Sequence, residues 1–276
     1  MTDRYAVIGN PVAHSKSPEI HALFARQTGQ DIEYVRLAAP LDGFRATVQA
    51  FVAQGGRGAN VTVPFKLEAF DLAHEVSARA KDARAANFLK FEGGRISADN
   101  TDGYGLVRDI TINLGVTLAA KRVLLMGAGG AAQGVLIPLL QERPAILTIV
   151  NRTPDKALRL AETTRHHPAA EHSVISGIGY PDLAGKHFDI VINATSSSLS
   201  DALPPLPNAL FAAGALAYEM VYGKGPTPFL AFAKAQGAQV LADGLGMLVE
   251  QAAESFRLWR GVLPQTRPVI EALRAN

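Results

Sequence analysis

The sequence predicts an α/β fold in two parts, an N-terminal α/β domain and a doubly wound parallel sheet. Three observations carry this. Short apolar runs alternate with helical patterns along most of the chain, the rhythm of βαβ units. One of these runs, Val123 to Met126, stops at the cluster Gly127-Ala128-Gly129-Gly130-Ala131-Ala132 and resumes as an Ala/Leu-rich helical pattern. The length of 276 residues is roughly twice that of an ordinary domain, so two domains are expected.

Composition narrows the possible partners. Apolar residues make up 48% and charged residues 19%, which excludes a disordered chain. Lys and Arg total 27 against 25 Asp and Glu, and a net charge of +2 gives no general attraction to nucleic acid or membrane. Any anion site is therefore local. Without cysteine there is no disulfide framework, thiolate metal site or cysteine nucleophile. The histidines lack the i, i+4 pair of a helical zinc site, so no metal is expected. The chain reaches Gly9-Asn10-Pro11 before a signal-peptide core can form, which predicts a cytoplasmic protein.

Tyr5 to Gly9 reads as a buried strand that runs into a loop punctuated by two prolines. A helix follows, with Ser17 as its N-cap, Pro18 as its first residue and Ile20, Leu23 and Phe24 as its apolar stripe. Ile32 to Leu37 is a second strand, Asp42 to Ala53 a helix, Gly55 to Gly58 a turn, and Ala59 to Val63 a third strand with Asn60 and Thr62 on one face. Helical segments fill Leu67 to Ala83. Asn87 to Phe91 and Arg95 to Ala98 form a hairpin turned at Glu92-Gly93-Gly94. A helix runs from about Tyr104 to Asn113, and Asp102 stands where its cap belongs.

Strands then follow at Arg122 to Met126, Ile146 to Val150, about His172 to Ser176, Phe188 to Asn193, Ala215 to Tyr218 and Gln239 to Ala242. Asp243 to Gly261 is the strongest amphipathic helix, striped by Leu245, Leu248, Val249, Ala252, Phe256 and Trp259. Met247 and Gln251 lie off that stripe, one turn apart, on a side that faces either a cleft or solvent.

Gly127, Gly129 and Ala132 match the dinucleotide fingerprint G-x-G-x-x-G/A, in which small residues let the backbone turn sharply and approach a pyrophosphate at a helix N-terminus. The fingerprint's usual acid after the second strand is missing, and the strand ends in Asn151-Arg152-Thr153. A guanidinium with two short polar side chains accepts a 2′-phosphate that an acid repels, so NADP is predicted over NAD. Thr153 and Pro154 also read as the N-cap and first residue of the next helix, itself an anion site.

Taken together, several stretches in order along the whole chain resemble the shikimate dehydrogenases. They are Gly9-Asn10-Pro11 with His14 to Pro18, Gly58 to Lys66, Asn100-Thr101-Asp102-Gly103, Gly127 to Ala131, Asn151-Arg152-Thr153, Asn193-Ala194-Thr195-Ser196, Met220-Val221-Tyr222 and Gln251. The resemblance implies NADPH-dependent, reversible reduction of 3-dehydroshikimate to shikimate in aromatic amino-acid biosynthesis. It implies a cleft between a substrate domain, residues 1–103 with 243–276, and a Rossmann-like NADP domain, residues 104–242.

By the same resemblance Lys66 and Asp102 form the catalytic pair, and Ser15, Ser17, Thr62, Asn87, Tyr222 and Gln251 contact the substrate beside Asp102. Gly127, Ala128, Gly129, Gly130 and Ala131 cradle the cofactor phosphates, Asn151, Arg152 and Thr153 hold the 2′-phosphate, and Thr195, Met220, Gly244 and Met247 lie near the adenine or nicotinamide. The residue types suit the chemistry. A hydride delivered to a ketone leaves an alkoxide that needs a proton, and an ammonium group at a strand end both stabilises that charge and supplies the proton.

Two positions depart from the family pattern. Phe88 follows Asn87 where threonine is usual, and Glu219 precedes Met220 where aspartate is usual. Each is expected to border the cleft and bear on substrate preference or rate. Ser17 and Asn151-Arg152 favour the shikimate-specific, NADP-using branch over relatives that act on quinate, which commonly carry threonine and an acid at those positions. The alternatives are a quinate or broad-specificity paralogue and a non-catalytic NADP-binding regulator, the latter opposed by the presence of Lys66 and Asp102. The partner is a small-molecule substrate, with neither nucleic acid nor membrane, and the assembly is a monomer or homodimer.

Overall fold

Among the described residues two six-stranded sheets carry the fold, one in each of two units, Met1–Gly105 with Leu248–Asn276 and Leu106–Met247. The computed structural model describes residues 2–195, 197, 202–223 and 225–275; Ser196 of the family-like run lies outside them. Among the described residues no helix is long and apolar enough to cross a membrane.

In the first unit β1 (Asp3–Gly9) lies between β2 (Ile32–Ala38) and β3 (Gly56–Val61), parallel to both. The hairpin β5 (Phe88–Glu92) and β6 (Arg95–Asp99) joins antiparallel to β3, and β4 (Glu75–Val76) closes the far edge parallel to β6. Alternation along β1 separates its two faces. Ala6 and Ile8 pack with Phe44, Val48 and Phe51 of α2 (Phe44–Ala53) and with Ala69 and Leu72 of α3 (Lys66–Leu72), whereas Tyr5 meets Trp259 of α9 (Leu245–Arg260).

Gly56 and Gly58 belong to β3, and the expected turn over 55–58 gives way to strand for a packing reason. A Cβ on Gly58 would stand 2.3 Å from Trp259 Nε1, whose N–H donates to Leu89 O at 3.0 Å. The bare strand makes room for the indole. The helical expectation over 67–83 also splits. His74 and Ser77 give their N–H groups to Ile96 and Ala98 of β6, and α4 (Ala78–Ala83) restarts from Ser77, whose hydroxyl accepts the Ala80 N–H at 3.1 Å.

On the Tyr5 face, α1 (Ser17–Thr28) brings His21 and Phe24 into an aromatic cluster with Tyr34, Phe256 and Trp259. The imidazole stacks on Tyr34, with centroids 4.2 Å apart and planes 7° apart. Neither of its nitrogens has a hydrogen-bond partner among the described residues, and burial pushes its pKa down to about 3. Arg79 ties α4 to the same helix α9 by pairing with Asp99 and Glu254, the latter shared with Arg257.

All strands of the second unit are parallel. In spatial order they are β12 (Val240–Ala242), β11 (Phe211–Glu219), β10 (Phe188–Asn193), β7 (Arg122–Met126), β8 (Ile146–Val150) and β9 (Val174–Ile178). From β7 the chain adds strands on one side, then returns to add β10 to β12 on the other, the order of a Rossmann sheet. Val123 and Leu125 of β7 pack with α6 (Gly130–Gln141) and α7 (Pro154–Arg165), and Leu124 and Met126 with α8 (Pro228–Ala235).

The helix expected over 104–113 begins earlier, as α5 (Asp102–Arg108), and ends as a π-helical turn, Asp109–Asn113. Asp109 sets that turn. Its buried carboxylate accepts the Tyr218 hydroxyl at 2.6 Å and Asn113 Nδ2 at 2.9 Å, a tertiary demand that outweighs regular helix geometry.

Candidate functional site

Lys66 opens α3, and its Nζ donates to Asp102 Oδ2 at 2.6 Å; the two side chains are 31% and 17% exposed. Asp102 sits in the first turn of α5 and its carboxylate is not spent on capping. Oδ1 accepts Asn87 Nδ2 at 2.8 Å, and the Asp102 N–H goes to Asn100 Oδ1. The Asn87 amide is oriented from the backbone, because the Thr101 N–H donates to its Oδ1 at 2.8 Å and leaves Nδ2 to face Asp102 and, at 3.1 Å, Gln251 Oε1. Gln251 Nε2 donates in turn to Leu248 O at 2.9 Å. Lys66, Asp102, Asn87 and Gln251 thus form one continuous hydrogen-bonded group.

The solvent-facing alternative for Met247 and Gln251 fails, since both are buried on a helix covered almost all round. Ser17 is not an N-cap either. Lys16 takes that position without a side-chain bond, and Ser17, inside α1, gives its N–H to Ser15 Oγ at 3.3 Å with the two hydroxyls 3.1 Å apart. Arg36 of β2 holds this loop by donating Nε and Nη2 to Ser15 O at 2.9 and 2.6 Å. Thr62 follows β3, bonded through its N–H to Ile8 O, and its methyl occupies the space beside Gly9, 2.3 Å from where a Cβ there would lie.

Phe88 turns away from its neighbour Asn87. It is buried and stacks on Trp259 with centroids 5.1 Å apart, so this departure alters core packing and the expected site contact is not made. Sequence reasoning missed a second layer beneath Asn87. Asn60 Nδ2 donates to Ser255 Oγ at 2.9 Å and its Oδ1 accepts the Tyr34 hydroxyl at 2.8 Å. A signal for Ser255 existed: it lies one helical turn beyond Gln251, as Gln251 lies one turn beyond Met247.

In the second unit Gly127 follows β7 at the switch point between β7 and β10. Its φ is +111°, and a Cβ would lie 3.2 Å from Ala194 O, so the turn needs glycine for backbone and space alike. Ala128 is buried, whereas Gly129, Gly130 and Ala131 are exposed at the start of α6. Among the described residues, a Cβ on Gly129 or Gly130 would meet nothing within 4 Å, and no side chain caps the helix.

At the end of β8, Asn151 Nδ2 donates to Thr153 O at 3.0 Å; Arg152 and Thr153 are exposed, and Thr153 is the N-cap residue of α7 without a side-chain bond. Thr195 donates to Asn193 Oδ1 at 2.7 Å. Asn193 Nδ2 in turn donates to Glu219, a buried carboxylate that also accepts from the Thr227 hydroxyl and the Val221 N–H. Met220 gives its N–H to Asn193 O, and a Cβ on Gly244 would stand 2.1 Å from Met220 O. Met247 is part of this unit's core, and Tyr222, in the loop after β11, is half-buried, which pushes its phenol pKa up.

Known proteins match this architecture along the chain. Residues 7–89 match the shikimate dehydrogenase substrate binding domain, 110–200 the shikimate / quinate 5-dehydrogenase family and 244–274 the shikimate 5′-dehydrogenase C-terminal domain. A shikimate dehydrogenase (NADP(+)) of Nitrosospira multiformis is 61% identical over 276 residues, 100% of this chain and 98% of that protein. The chain belongs to the shikimate dehydrogenase family. A second relative with the same name, from Aromatoleum aromaticum, is 60% identical and covers 99% of this chain and 97% of its own. Among solved structures, the Thermus thermophilus shikimate 5-dehydrogenase in complex with NADP(H) and shikimate superposes with a TM-score of 0.87 at 32% identity, covering 99% of each chain. The expected α/β fold with a Rossmann-like unit is borne out as that of the family.

Proposed function

We infer that the chain reduces 3-dehydroshikimate to shikimate with NADPH, reversibly, in aromatic amino-acid biosynthesis, as a cytoplasmic monomer or homodimer. In a member of this family, the observation that carries the reading is the Lys66–Asp102 contact of 2.6 Å, backed by Asn87. Residues 1–103 with 243–276 take the substrate, and residues 104–242 take NADP. Ser15, Ser17, Thr62, Tyr222 and Gln251 offer hydroxyl and amide groups to a ring that carries hydroxyls and a carboxylate.

The cofactor suits the groups present. Gly129 and Gly130 leave the start of α6 open where a Cβ would meet nothing within 4 Å, no side chain among the described residues caps that helix, and Arg152 is an exposed guanidinium between Asn151 and Thr153. Gly130 and Ala131 line the phosphate turn, and Thr195, Met220, Gly244 and Met247 flank the nucleotide. NADPH, when bound, supplies the hydride. Lys66 gives one N–H to Asp102 and keeps two, so it can stabilise the developing alkoxide oxygen and pass it a proton. Its partial exposure lets water return that proton. In the oxidative direction the same nitrogen takes the hydroxyl proton, with Asp102 holding both the hydroxyl and the lysine in line.

Steady-state rates with shikimate and with quinate, each against NADP+ and NAD+, test this reading. Fast turnover is expected with shikimate and NADP+ alone. Equal rates with quinate support the broad-specificity alternative, and tight NADP+ binding without turnover supports the regulator. Arg152→Ala removes a charge-assisted contact of roughly 1.5–3 kcal/mol and is expected to weaken NADP+ binding about 10- to 100-fold while sparing NAD+. Fluorescence titration reads this directly, and an unchanged preference for NADP+ moves the 2′-phosphate clamp elsewhere.

A further inference from the structure

We propose that Thr101 is a positioning residue for the reaction: it fixes the amides of Asn87 and Gln251 and, through Asn87, the carboxylate that holds Lys66. The proposal rests on the functional reading above. Thr101 is fully buried, as is Ser255, while Asn87 and Gln251 are nearly so. In such a patch each polar hydrogen must find an acceptor, and the hydrogens available decide how the amides point.

Asn87 Nδ2 has two hydrogens and three acceptors in reach, Asp102 Oδ1 at 2.8 Å, Thr101 Oγ1 at 3.0 Å and Gln251 Oε1 at 3.1 Å. The Thr101 N–H already occupies Asn87 Oδ1 at 2.8 Å, so the amide cannot flip without setting donor against donor. Thr101 Oγ1 lies 3.3 Å from both Gln251 Oε1 and Ser255 Oγ, and Ser255 passes its own hydrogen to Gln251 O at 3.0 Å. Thr101 therefore sits at the junction of both amides. One residue supplies a backbone donor that sets the direction of Asn87 and a hydroxyl that fills the space between Asn87 and Gln251. With Asn87 so directed, one Asp102 oxygen is taken and the other is left to Lys66 at 2.6 Å.

Thr101→Val keeps the shape and the backbone N–H but puts a methyl where two polar atoms approach within 3.0 and 3.3 Å. A carbon needs about 3.5 Å or more, so the amides must move off their present line. The expected result is a fall in kcat with shikimate of about tenfold, a misplacement effect, with NADP+ affinity by fluorescence titration unchanged. Thr101→Ser, which retains the hydroxyl, should return kcat to within about twofold of wild type. The deciding measurement is a double-mutant cycle with Asn87→Ala: because Thr101 reaches the carboxylate through Asn87 and touches Gln251 separately, adding Thr101→Val to that background should cost about threefold or less, against about tenfold in the wild type. If the valine variant fails to fold, Thr101→Ala, smaller and without the hydroxyl, enters the same cycle. An active wild type with an indifferent Thr101→Val, a serine variant as poor as the valine one, or losses that multiply in the cycle each overturn the positioning role alone. A wild-type chain inert towards shikimate overturns the functional reading and the role with it.

Discussion

Replacing Lys66 by alanine lowers kcat by about 100-fold or more and leaves NADP+ affinity near its wild-type value. The first part follows from proton balance. Reduction of a ketone leaves an oxyanion, and Lys66 is the ammonium bonded to the Asp102 carboxylate, with two N–H groups to spare. The second part follows from connectivity, since Lys66 bonds to Asp102, and the groups proposed to hold the cofactor phosphates belong to other elements, the start of α6 and the end of β8. Stability should change little, because the pair is partly solvated and exposed pairs contribute about 0–1 kcal/mol. Single-turnover kinetics alongside cofactor titration separate the two effects. A folded Lys66→Ala variant with near-normal kcat would reduce Lys66 to an ordinary surface lysine.

What the sequence made legible was the part fixed by local backbone demands. The turn at Gly127 needs a positive φ and a bare Cα beside Ala194, and glycine advertises both. The parallel sheet announced itself by the alternation of apolar strand and helix, and four of its six expected strands match the observed ones to within a residue, with β9 shifted two residues along and β11 starting four residues earlier, at Phe211. What stayed hidden depends on partners far away in sequence. Ser17 has the look of a cap, but Ser15 turns back to it while Arg36 clamps the Ser15 carbonyl from another strand. Two residues of β4 are too few to show a period, and they exist because β6 pairs with them.

The site divides along the same line. The family resemblance pointed to Lys66, Asp102, Asn87 and Gln251, and the hydrogen bonds that join them run across 36, 15 and 164 positions of sequence. The layer beneath was harder to see. Thr101 and Ser255 carry small hydroxyls of the kind that normally cap helices or face water, and only their burial among amides gives them work. Phe88 misled for the opposite reason, because adjacency to Asn87 in sequence means opposite directions at the start of a strand.

The largest effect on stability is expected from His21→Phe, read as a loss of acid sensitivity. His21 is fully buried against Tyr34, Phe24, Phe256 and Trp259, and desolvation, outweighing the opposing influence of the Asn60 side chain, lowers its pKa from 6.5 to about 3. The sign follows from which state binds the proton. Below pH 6.5 the unfolded chain protonates this imidazole and the folded chain does not, so stability is full above that value and falls as the pH drops towards 3. At about 1.36 kcal/mol per pH unit, the group removes roughly 3 kcal/mol between pH 7 and pH 4. Carboxylates held low by arginine partners, Asp3 and Asp189 among them, also lose stability in acid, so the wild-type slope alone decides nothing. The difference between the two proteins does. Urea unfolding at pH 7 and pH 4 should show His21→Phe losing about 3 kcal/mol less than wild type, and at pH 7 it should hold or gain stability, because two buried nitrogens with no hydrogen-bond partner among the described residues have gone. Equal losses in both proteins would mean that the imidazole protonates within the fold, and that the aromatic cluster opens to admit the charge.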